Sequence, residues 1–267
     1  MKERILVLDG AMGTMIQNAN LTAADFGGEE FEGCNEYLSL TSPATIYRIH
    51  EQYLEAGADI IETNTFGGAS IVLDEYNLGH LAYEINKVSA ELAKQACEKF
   101  STPEKPRFVG GSIGPTTKTL SLTGGTTFDA LKASYSEQVE GLIDGGCDVL
   151  IVETCQDMLN VKAAYVGIQE AFRNKECELP IIISGTIEPM GTTLAGQPID
   201  AFYFSCEHMK PVAVGLNCAT GPEFMTDHIR TLSTLANTGI SCYPNAGLPD
   251  EEGHYHESPS SLAKKVK

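Results

Sequence analysis

Short, nearly continuous apolar runs alternate along the chain with longer stretches in which apolar residues recur at helical spacing. The runs end in small or polar residues, and continuous apolarity is typical of parallel strands that are covered on both faces. The pattern predicts seven strands: Arg4–Gly10, Ala58–Thr65, Arg107–Gly114, Asp148–Thr154, Pro180–Ile187, Ala213–Ala219 and Ser241–Gly247.

Six helices are predicted between these strands. Ser42 before Pro43 and Gly57 after Ala56 are typical start and stop signals for the first of them. An uninterrupted series of strands and helices indicates either a barrel or a doubly wound sheet, and periodicity alone does not choose between the two. The predicted helices are Pro43–Ala56, Ala82–Phe100, Phe128–Gly145, Met158–Phe172, Ile199–His208 and Glu223–Asn237.

The sequence pattern of the last part of the chain does not indicate an eighth strand. After Gly247 comes a polar, charged loop, and residues 258–267 predict a capped helix of barely two turns. A closed barrel of this type has eight strands. We therefore expect either an open-sided barrel or one fragment of a longer polypeptide, with residues 1–267 forming a single C-terminally truncated domain. An unpaired barrel edge predicts association through that edge and low stability of the isolated chain.

Composition and charge narrow the possible partners. Lys and Arg number 18 against 36 Asp and Glu, so the net charge is −18, which repels nucleic acid and anionic membranes. Aromatic residues make up 7% and Trp is absent, which disfavours stacking on bases. Because neither a secretory signal nor a transmembrane run is present, we expect a cytoplasmic protein whose eight cysteines are reduced.

Catalytic residues of such barrels lie where strands end, so the predicted strand ends supply the candidates. None of these candidates is a lysine, which argues against Schiff-base chemistry. They are Asp9, Thr63, Asn64, Ser112, Glu153, Thr154, Ser184, Thr186, Asn217, Cys218 and Asn245.

Two carboxylates, Asp9 and Glu153, are expected to meet across one mouth. Each alone could simply cap a helix, whereas the pair could act as acid and base, as metal ligands or as the anchor of an ammonium group. Among glycine-rich segments none fits a nucleotide-binding motif, and we expect residues 10–14 and 110–114 to let backbone N–H groups approach a small carboxylate.

A few cysteines and histidines are further candidates. Cys218, flanked by small residues, is either a packed cysteine or an accessible ligand or nucleophile, and Cys155 is a weaker candidate of the same kind. His254 and His256 could suggest a metal site, but two histidines in a polar loop are more often solvated.

Several strings in order along the whole chain resemble the homocysteine S-methyltransferase family, and within it the homocysteine-binding modules of cobalamin-dependent methionine synthases. These strings are Asp9-Gly10-Ala11-Met12-Gly13-Thr14, Glu62-Thr63-Asn64-Thr65-Phe66-Gly67, Ser112-Ile113-Gly114-Pro115-Thr116, Glu153-Thr154, Gly215-Leu216-Asn217-Cys218 and Tyr243-Pro244-Asn245-Ala246-Gly247-Leu248-Pro249.

The resemblance implies an α/β fold of the (β/α)₈ TIM-barrel type, lacking its eighth strand and helix in this chain. It also implies a zinc ion held by three cysteines, of which Cys218 matches the first, while the adjacent pair expected after strand eight has no counterpart before Lys267. Asn245 matches an asparagine that occupies the open zinc position when substrate is absent.

The resemblance further implies the substrate contacts. Asp9 and Glu153 would hold the ammonium group of homocysteine, and backbone amides near Gly10 and Ser112 would take its carboxylate. Asn64 and Asn217, from the same motifs, are expected to complete the substrate site.

The implied function is S-methylation of homocysteine to methionine, with zinc activating the substrate as a thiolate. The implied methyl donor is methylcobalamin on a separate module, and the implied partners are cobalamin- and folate-binding modules. Betaine and S-methylmethionine users share these motifs, so the donor stays open. Two alternatives also remain: a truncated binding barrel without zinc or catalysis, and a lyase that uses Glu153 as base.

Overall fold

The structure, a computed structural model, describes residues 4–247, 255 and 257–266. Six parallel strands form one sheet in the order β1-β2-β3-β4-β5-β6, which is also their order along the chain. The strands are β1 Ile60–Glu62, β2 Phe108–Ile113, β3 Val149–Cys155, β4 Ile181–Gly185, β5 Ala213–Asn217 and β6 Gly239–Tyr243.

Helices follow the strands, and short helices precede the sheet. Predicted bounds are confirmed for the first two long helices, while the third ends one residue earlier and the fourth continues to Lys175. The described helices are α1 Met12–Asn18, α2 Leu38–Thr41, α3 Pro43–Ala56, α4 Ser70–Leu73, α5 Ala82–Phe100, α6 Phe128–Asp144, α7 Met158–Lys175, α8 Ile199–Cys206, α9 Pro222–Leu235 and α10 Pro259–Val266. None of these described helices is long and apolar enough to cross a bilayer.

The first predicted strand, Arg4–Gly10, is not a strand. Only Leu8 forms a bridge with the sheet, parallel to Ile60. The Asp59 carboxylate accepts both the backbone N–H of Val7, at 2.9 Å, and the Arg4 guanidinium, at 2.7 Å. A side chain thus replaces part of the main-chain ladder, and the segment only borders β1.

Apolar residues pack separately on the two faces of the sheet. One face, including Ile61, Leu150 and Val214, packs with apolar side chains of helices α3 and α5 to α9 in the main core. Strand residues of the opposite parity form another buried cluster that contains no helical residue: Ile60, Val149, Ile151, Ile182 and Ala213.

Strand order and packing together decide the fold class. A doubly wound sheet reverses its strand order at a switch point and is covered by helices on both faces. Here the order is sequential and the long helices pack on one face. The sheet is therefore singly wound and consistent with part of a (β/α)₈ barrel, and within the described residues no further strand follows β6.

Candidate functional site

Each of the six strands contributes one polar side chain to the concave face near its carboxyl end. Successive side chains of a strand point to opposite faces, so residues two positions apart share a face. Ile60, Ile151 and Ile182 belong to the buried cluster that contains no helical residue, and each lies two residues before one of these polar positions. These polar residues are Glu62, Ser112, Glu153, Ser184, Asn217 and Tyr243.

Above this polar layer lies a cavity of about 370 Å³. The structure brings all eight residues of the predicted substrate and metal sites to its wall: Asp9, Gly10, Asn64, Ser112, Glu153, Asn217, Cys218 and Asn245. Their individual roles stay predictions, but their assembly from segments more than 200 residues apart agrees with the expectation that strand ends share one mouth.

Three titratable residues of the cavity wall are not among the sequence-based site candidates: Glu36, Glu62 and Tyr243. Glu62 ends β1 as Glu153 lies near the end of β3, so the rule that selected Glu153 could also have selected Glu62. Tyr243 likewise ends β6. Glu36 comes from a short 3-10 turn before the sheet and accepts the backbone N–H of Gly67 at 2.7 Å. No pattern in the sequence signals that contact.

Three carboxyl groups, those of Asp9, Glu62 and Glu153, lie together in this cavity. Burial among protein groups raises the pKa of Asp9 well above its usual range, and the nearby Glu153 charge adds to this effect. Burial, followed by the charges of Glu153 and Asp9, raises the pKa of Glu62 in the same direction. Asp9 and Glu62 therefore ionise less readily than isolated carboxyl groups.

Polar groups partly stabilise the charge of Glu153. The Ser112 hydroxyl donates a hydrogen bond to Oε1 at 2.5 Å. Burial raises the pKa of Glu153 to about 7, while contacts with Ser112, Tyr243 and Glu62 oppose that rise. Glu153 can thus change charge near neutral pH. Within the described part of the chain, no Lys, Arg or His lines the cavity, so a ligand cation meets no competing positive side chain.

Asn217 ties the ends of three strands together. Its Oδ1 accepts the backbone N–H of Thr154 at 3.0 Å and the Ser184 hydroxyl at 2.7 Å, and its Nδ2 donates to Thr154 Oγ1 at 2.8 Å. Thr154 of this network and Cys218, which follows Asn217, have φ angles of 54° and 61°, in the left-handed region that is costly for residues other than glycine.

Two further predicted contacts are restricted by the structure. The Ser112 backbone N–H donates to Thr63 Oγ1 at 3.0 Å, so this amide itself is already engaged. The Asn64 side-chain NH₂ donates to the Asn35 carbonyl at 2.7 Å and to Ser39 Oγ at 3.3 Å. Any ligand contact of Asn64 would thus use its oxygen.

Gly10 is required by the close approach of an aromatic ring. A Cβ at this position would lie 2.9 Å from both Cε1 and Oη of Tyr53. The Tyr53 hydroxyl also donates to the Ala11 carbonyl at 3.1 Å. The backbone at Gly10 therefore lies directly against the Tyr53 ring at the edge of the cavity.

A family model for homocysteine S-methyltransferase matches residues 6–267. The chain belongs to the homocysteine S-methyltransferase family. The family supports a methyltransferase function directed at homocysteine.

Solved structures of one family enzyme, the homocysteine methyltransferase MmuM from Escherichia coli, share the fold. Its oxidized form is 22% identical with a TM-score of 0.79, covering 99% of this chain and 87% of that chain. Its metallated form is 23% identical with a TM-score of 0.76, covering 92% and 85%. Its apo form is 23% identical with a TM-score of 0.69, covering 91% and 82%. At these identities the likeness shows the fold alone.

Among the residues that the structure describes, the donors at the cavity of this homocysteine S-methyltransferase family member do not complete a zinc site. Cys218 is half-buried and is the cysteine found on the cavity wall, whereas Cys155 is buried and packs against the Val152 carbonyl. Asn245 shares that wall, and its N–H donates to the Thr220 carbonyl at 3.1 Å.

Tetrahedral zinc needs more donors than this pair. Among the residues described by the structure, no group of three His, Cys, Asp or Glu side chains could hold a metal. The predicted alternatives His254 and His256 lie outside the described residues.

Proposed function

We propose that the cavity binds homocysteine with its ammonium group at Asp9 and Glu153 and its sulfur towards Cys218 and Asn245, where the sulfur is methylated to give methionine. The observation that carries this proposal is the joint presence of four carboxyl groups, those of Asp9, Glu36, Glu62 and Glu153, and one accessible thiol in a cavity whose described wall has no basic side chain. Such a wall favours a ligand that brings its own positive charge.

Binding of the ammonium group has a clear electrostatic reason. Burial raises the pKa values of Asp9, Glu62 and Glu153, and the charge of Glu153 adds to the rise at Asp9 and Glu62, so the cavity disfavours full ionisation of the three groups. An ammonium group within hydrogen-bonding distance would offset that repulsion and allow Glu153 to ionise. The pair of Asp9 and Glu153 therefore suits an amino acid better than a neutral thiol.

Methyl transfer itself forms one S–C bond while the bond from the donor to its methyl group breaks, and the thiol proton passes from the sulfur to solvent. Only the thiolate is a good nucleophile, and a free thiol with a pKa of about 8.5 is mostly protonated at neutral pH. This chain's own contribution is to orient the amino acid through its ammonium group and to fix the direction in which the sulfur faces.

Zinc binding by this chain is a separate proposal, because the described residues supply at most two ligands, the Cys218 thiolate and the Asn245 oxygen. Further ligands would have to come from outside the described residues. Metal analysis of the purified chain tests this point, with Cys218→Ser as the matched variant. We expect less than one zinc per chain, and stoichiometric zinc that survives the Cys218→Ser change would contradict the assignment of Cys218.

For the methyl donor we propose methylcobalamin carried on a separate module, supplied in turn by a folate-binding module, as the family resemblance implies. The rim of the cavity mouth favours a methyl donor that is carried by a protein module. Exposed apolar side chains occur there in five of the loops or first helical turns that follow strands. These residues are Phe66, Leu122, Leu159, Met190, Leu194 and Phe224. Exposed apolar groups around a cavity are typical of interaction surfaces. A cytoplasmic location would keep the thiol reduced.

The deciding experiment supplies homocysteine with methyl-labelled donors and measures labelled methionine by mass spectrometry. Methylcobalamin, S-methylmethionine and betaine are tested separately. We expect labelled methionine with methylcobalamin, and loss of at least tenfold in rate with Glu153→Gln. Glu98→Gln, an exposed carboxylate change on α5, serves as the control and should leave the rate unchanged.

Binding without turnover is the second candidate function, and the incomplete donor set is the observation that favours it. Calorimetry separates the two candidates. Homocysteine binding with no methionine from any donor would support a binding protein, and the absence of any binding would contradict both.

A further inference from the structure

The two predicted ends of the substrate site are attached to one hydrogen-bonded pair. Glu153 directly precedes Thr154 in β3, and Asn217 directly precedes Cys218 at the end of β5. β3 and β5 are not neighbours in the sheet, because β4 lies between them. The Thr154–Asn217 pair therefore reaches across the end of β4 and joins the residue next to Glu153 to the residue next to Cys218.

Both partners of the pair are buried and use their side-chain polar groups in hydrogen bonds. Asn217 is 3% exposed and its Oδ1 accepts two hydrogen bonds, one from the Thr154 backbone and one from Ser184 in the intervening strand. Thr154 is 7% exposed and uses both its backbone N–H and its hydroxyl in the pair. Buried polar groups that are satisfied this completely fix a single arrangement.

Backbone geometry indicates that the arrangement is imposed on the chain. Thr154, Cys218 and Ala219 all adopt positive φ angles, 54°, 61° and 54°, although none is glycine. For a β-branched residue such as Thr154 this conformation is a genuine outlier, which persists only where surrounding contacts determine it. The Thr186 hydroxyl donates to the Asn217 carbonyl at 3.0 Å, and the Thr220 N–H donates to the Cys218 carbonyl at 2.6 Å.

We propose that the Thr154–Asn217 pair is a positioning device that fixes the span between Glu153 and Cys218 and so selects the amino acid thiol by its length. The proposal rests on the proposed function, in which the ammonium group lies at Glu153 and the sulfur lies towards Cys218. Homocysteine has one methylene more than cysteine between Cα and sulfur. A rigid span admits the longer molecule with both ends engaged and leaves one end of the shorter molecule unpaired.

The span predicts selectivity that a flexible cavity would lack. A single methylene in a complementary site changes binding by about 10-fold to 200-fold. We expect the native chain to bind homocysteine at least about tenfold more tightly than cysteine, within that range. Loss of the pair should weaken homocysteine binding and leave cysteine binding nearly unchanged, because cysteine engages only one end.

The test compares Thr154→Val with Thr154→Ser in the otherwise unchanged chain. Valine keeps the β-branched shape but cannot accept from Asn217 Nδ2, whereas serine keeps the hydroxyl. Calorimetry with homocysteine and with cysteine gives the selectivity ratio of each variant. We expect the ratio to fall to within about threefold of unity for Thr154→Val and to stay near the native value for Thr154→Ser.

A second measurement does not depend on substrate. The rate at which iodoacetamide alkylates Cys218, followed by peptide mass spectrometry at one pH, reports how the thiol is presented. We expect Thr154→Val to change this rate at least threefold and Thr154→Ser to leave it unchanged. If Thr154→Val does not fold, Ser184→Ala removes the β4 contact to Asn217 and is measured in the same way.

The outcomes separate the two proposals. A native selectivity ratio in folded Thr154→Val, together with an unchanged alkylation rate, would overturn the positioning role and leave the proposed function standing. Failure of the native chain to bind either thiol would overturn the proposed function and the length selection with it. In that case an altered alkylation rate in Thr154→Val alone would still support the structural link from Thr154 to Cys218, and an unaltered rate would refute it.

Discussion

The carboxylate of Asp9 accepts the backbone N–H of Glu62 at 2.9 Å, so a side chain takes the place that a main-chain acceptor would have at the end of β1. The Asp9 backbone N–H donates to the Ile60 carbonyl at 3.0 Å. Asp9 thus both extends the edge of the sheet and places a carboxyl group in the cavity. These two roles can be separated by substitution.

Asp9→Asn keeps an oxygen that can accept from Glu62 but removes the ability to carry negative charge, and Asp9→Ala removes both. We expect Asp9→Asn to be at least as stable as the native chain, because burial disfavours the charged form of Asp9, and to bind homocysteine about tenfold more weakly, since one charged hydrogen bond is lost. Asp9→Ala should in addition lower the free energy of unfolding by about 1–3 kcal/mol. Urea unfolding and calorimetry measure the two effects, and native affinity in Asp9→Asn would show that the ammonium group lies elsewhere.

Affinity for an amino acid should depend on the charge of Glu153. The pKa of Glu153 is raised to about 7, and the ammonium group binds the ionised form, so affinity should fall as the pH drops from 8 to 6. Methionine is the suitable ligand, because it carries the same ammonium group without a titrating thiol. Calorimetry should show this pH dependence in the native chain and its loss in Glu153→Gln. The same pH dependence in Glu153→Gln would assign it to another group.

The raised pKa of Glu153 also has a consequence for stability. Folding favours the protonated carboxyl, so the contribution of this group is fully present below its unfolded pKa of 4.5 and is lost as the pH rises to about 7. Glu153→Gln should therefore increase the free energy of unfolding at pH 8 by about 1–3 kcal/mol and have little effect at pH 4.5. Glu98→Gln is the exposed control. A destabilised Glu153→Gln at pH 8 would contradict this sign.

His50 in α3 is fully buried, and both ring nitrogens lack a hydrogen-bond partner among the described residues. Burial lowers the pKa of His50 from 6.5 to about 4, so the unfolded chain takes up a proton first and stability falls as the pH drops through this range. His50→Leu should be more stable than the native chain by an amount that grows from pH 7 to about 2 kcal/mol at pH 5. Urea unfolding at several pH values measures this, with exposed His80→Gln as the control. A difference independent of pH would indicate packing alone.

The exposed apolar rim should matter only for a donor of protein size. Met190 and Phe224, 82% and 51% exposed, follow β4 and β5 at the mouth. Changing both residues to Ser should slow methyl transfer from protein-bound methylcobalamin about tenfold, as expected when exposed interface anchors are removed. The rate of transfer from free methylcobalamin and the affinity for homocysteine should stay unchanged. Phe204→Ser, an exposed aromatic on α8, is the matched control. Equal slowing with both donors would place these residues in the substrate site instead.

The apolar pattern predicted six of the strands because strands such as β3, β4 and β5 are buried on both faces, and it predicted the long helices because each buries one regular face. It failed for Arg4–Gly10, where the Asp59 side chain replaces ladder contacts, since such a substitution depends on residues brought together only by folding. The helices α1, α2 and α4 span at most seven residues, too few for a periodic signal.

The same contrast holds at the cavity. Strand ends predicted Asp9, Glu153 and Cys218, because parallel strands share one carboxyl edge. The hydrogen bonds between Thr154 and Asn217 link residues 63 positions apart and have no local sequence pattern.

Because each strand contributes one polar side chain to the same layer, ligand binding above that layer couples the stability of the strands to one another. A ligand that contacts β1, β3 and β5 in the same cavity stabilises only those states in which all three strands are in place, by mass action on the folded form. Partial openings that detach any one βα unit would then be suppressed together. Amide hydrogen exchange should consequently slow along the whole sheet when the cavity is filled, including strands whose backbone the ligand never contacts.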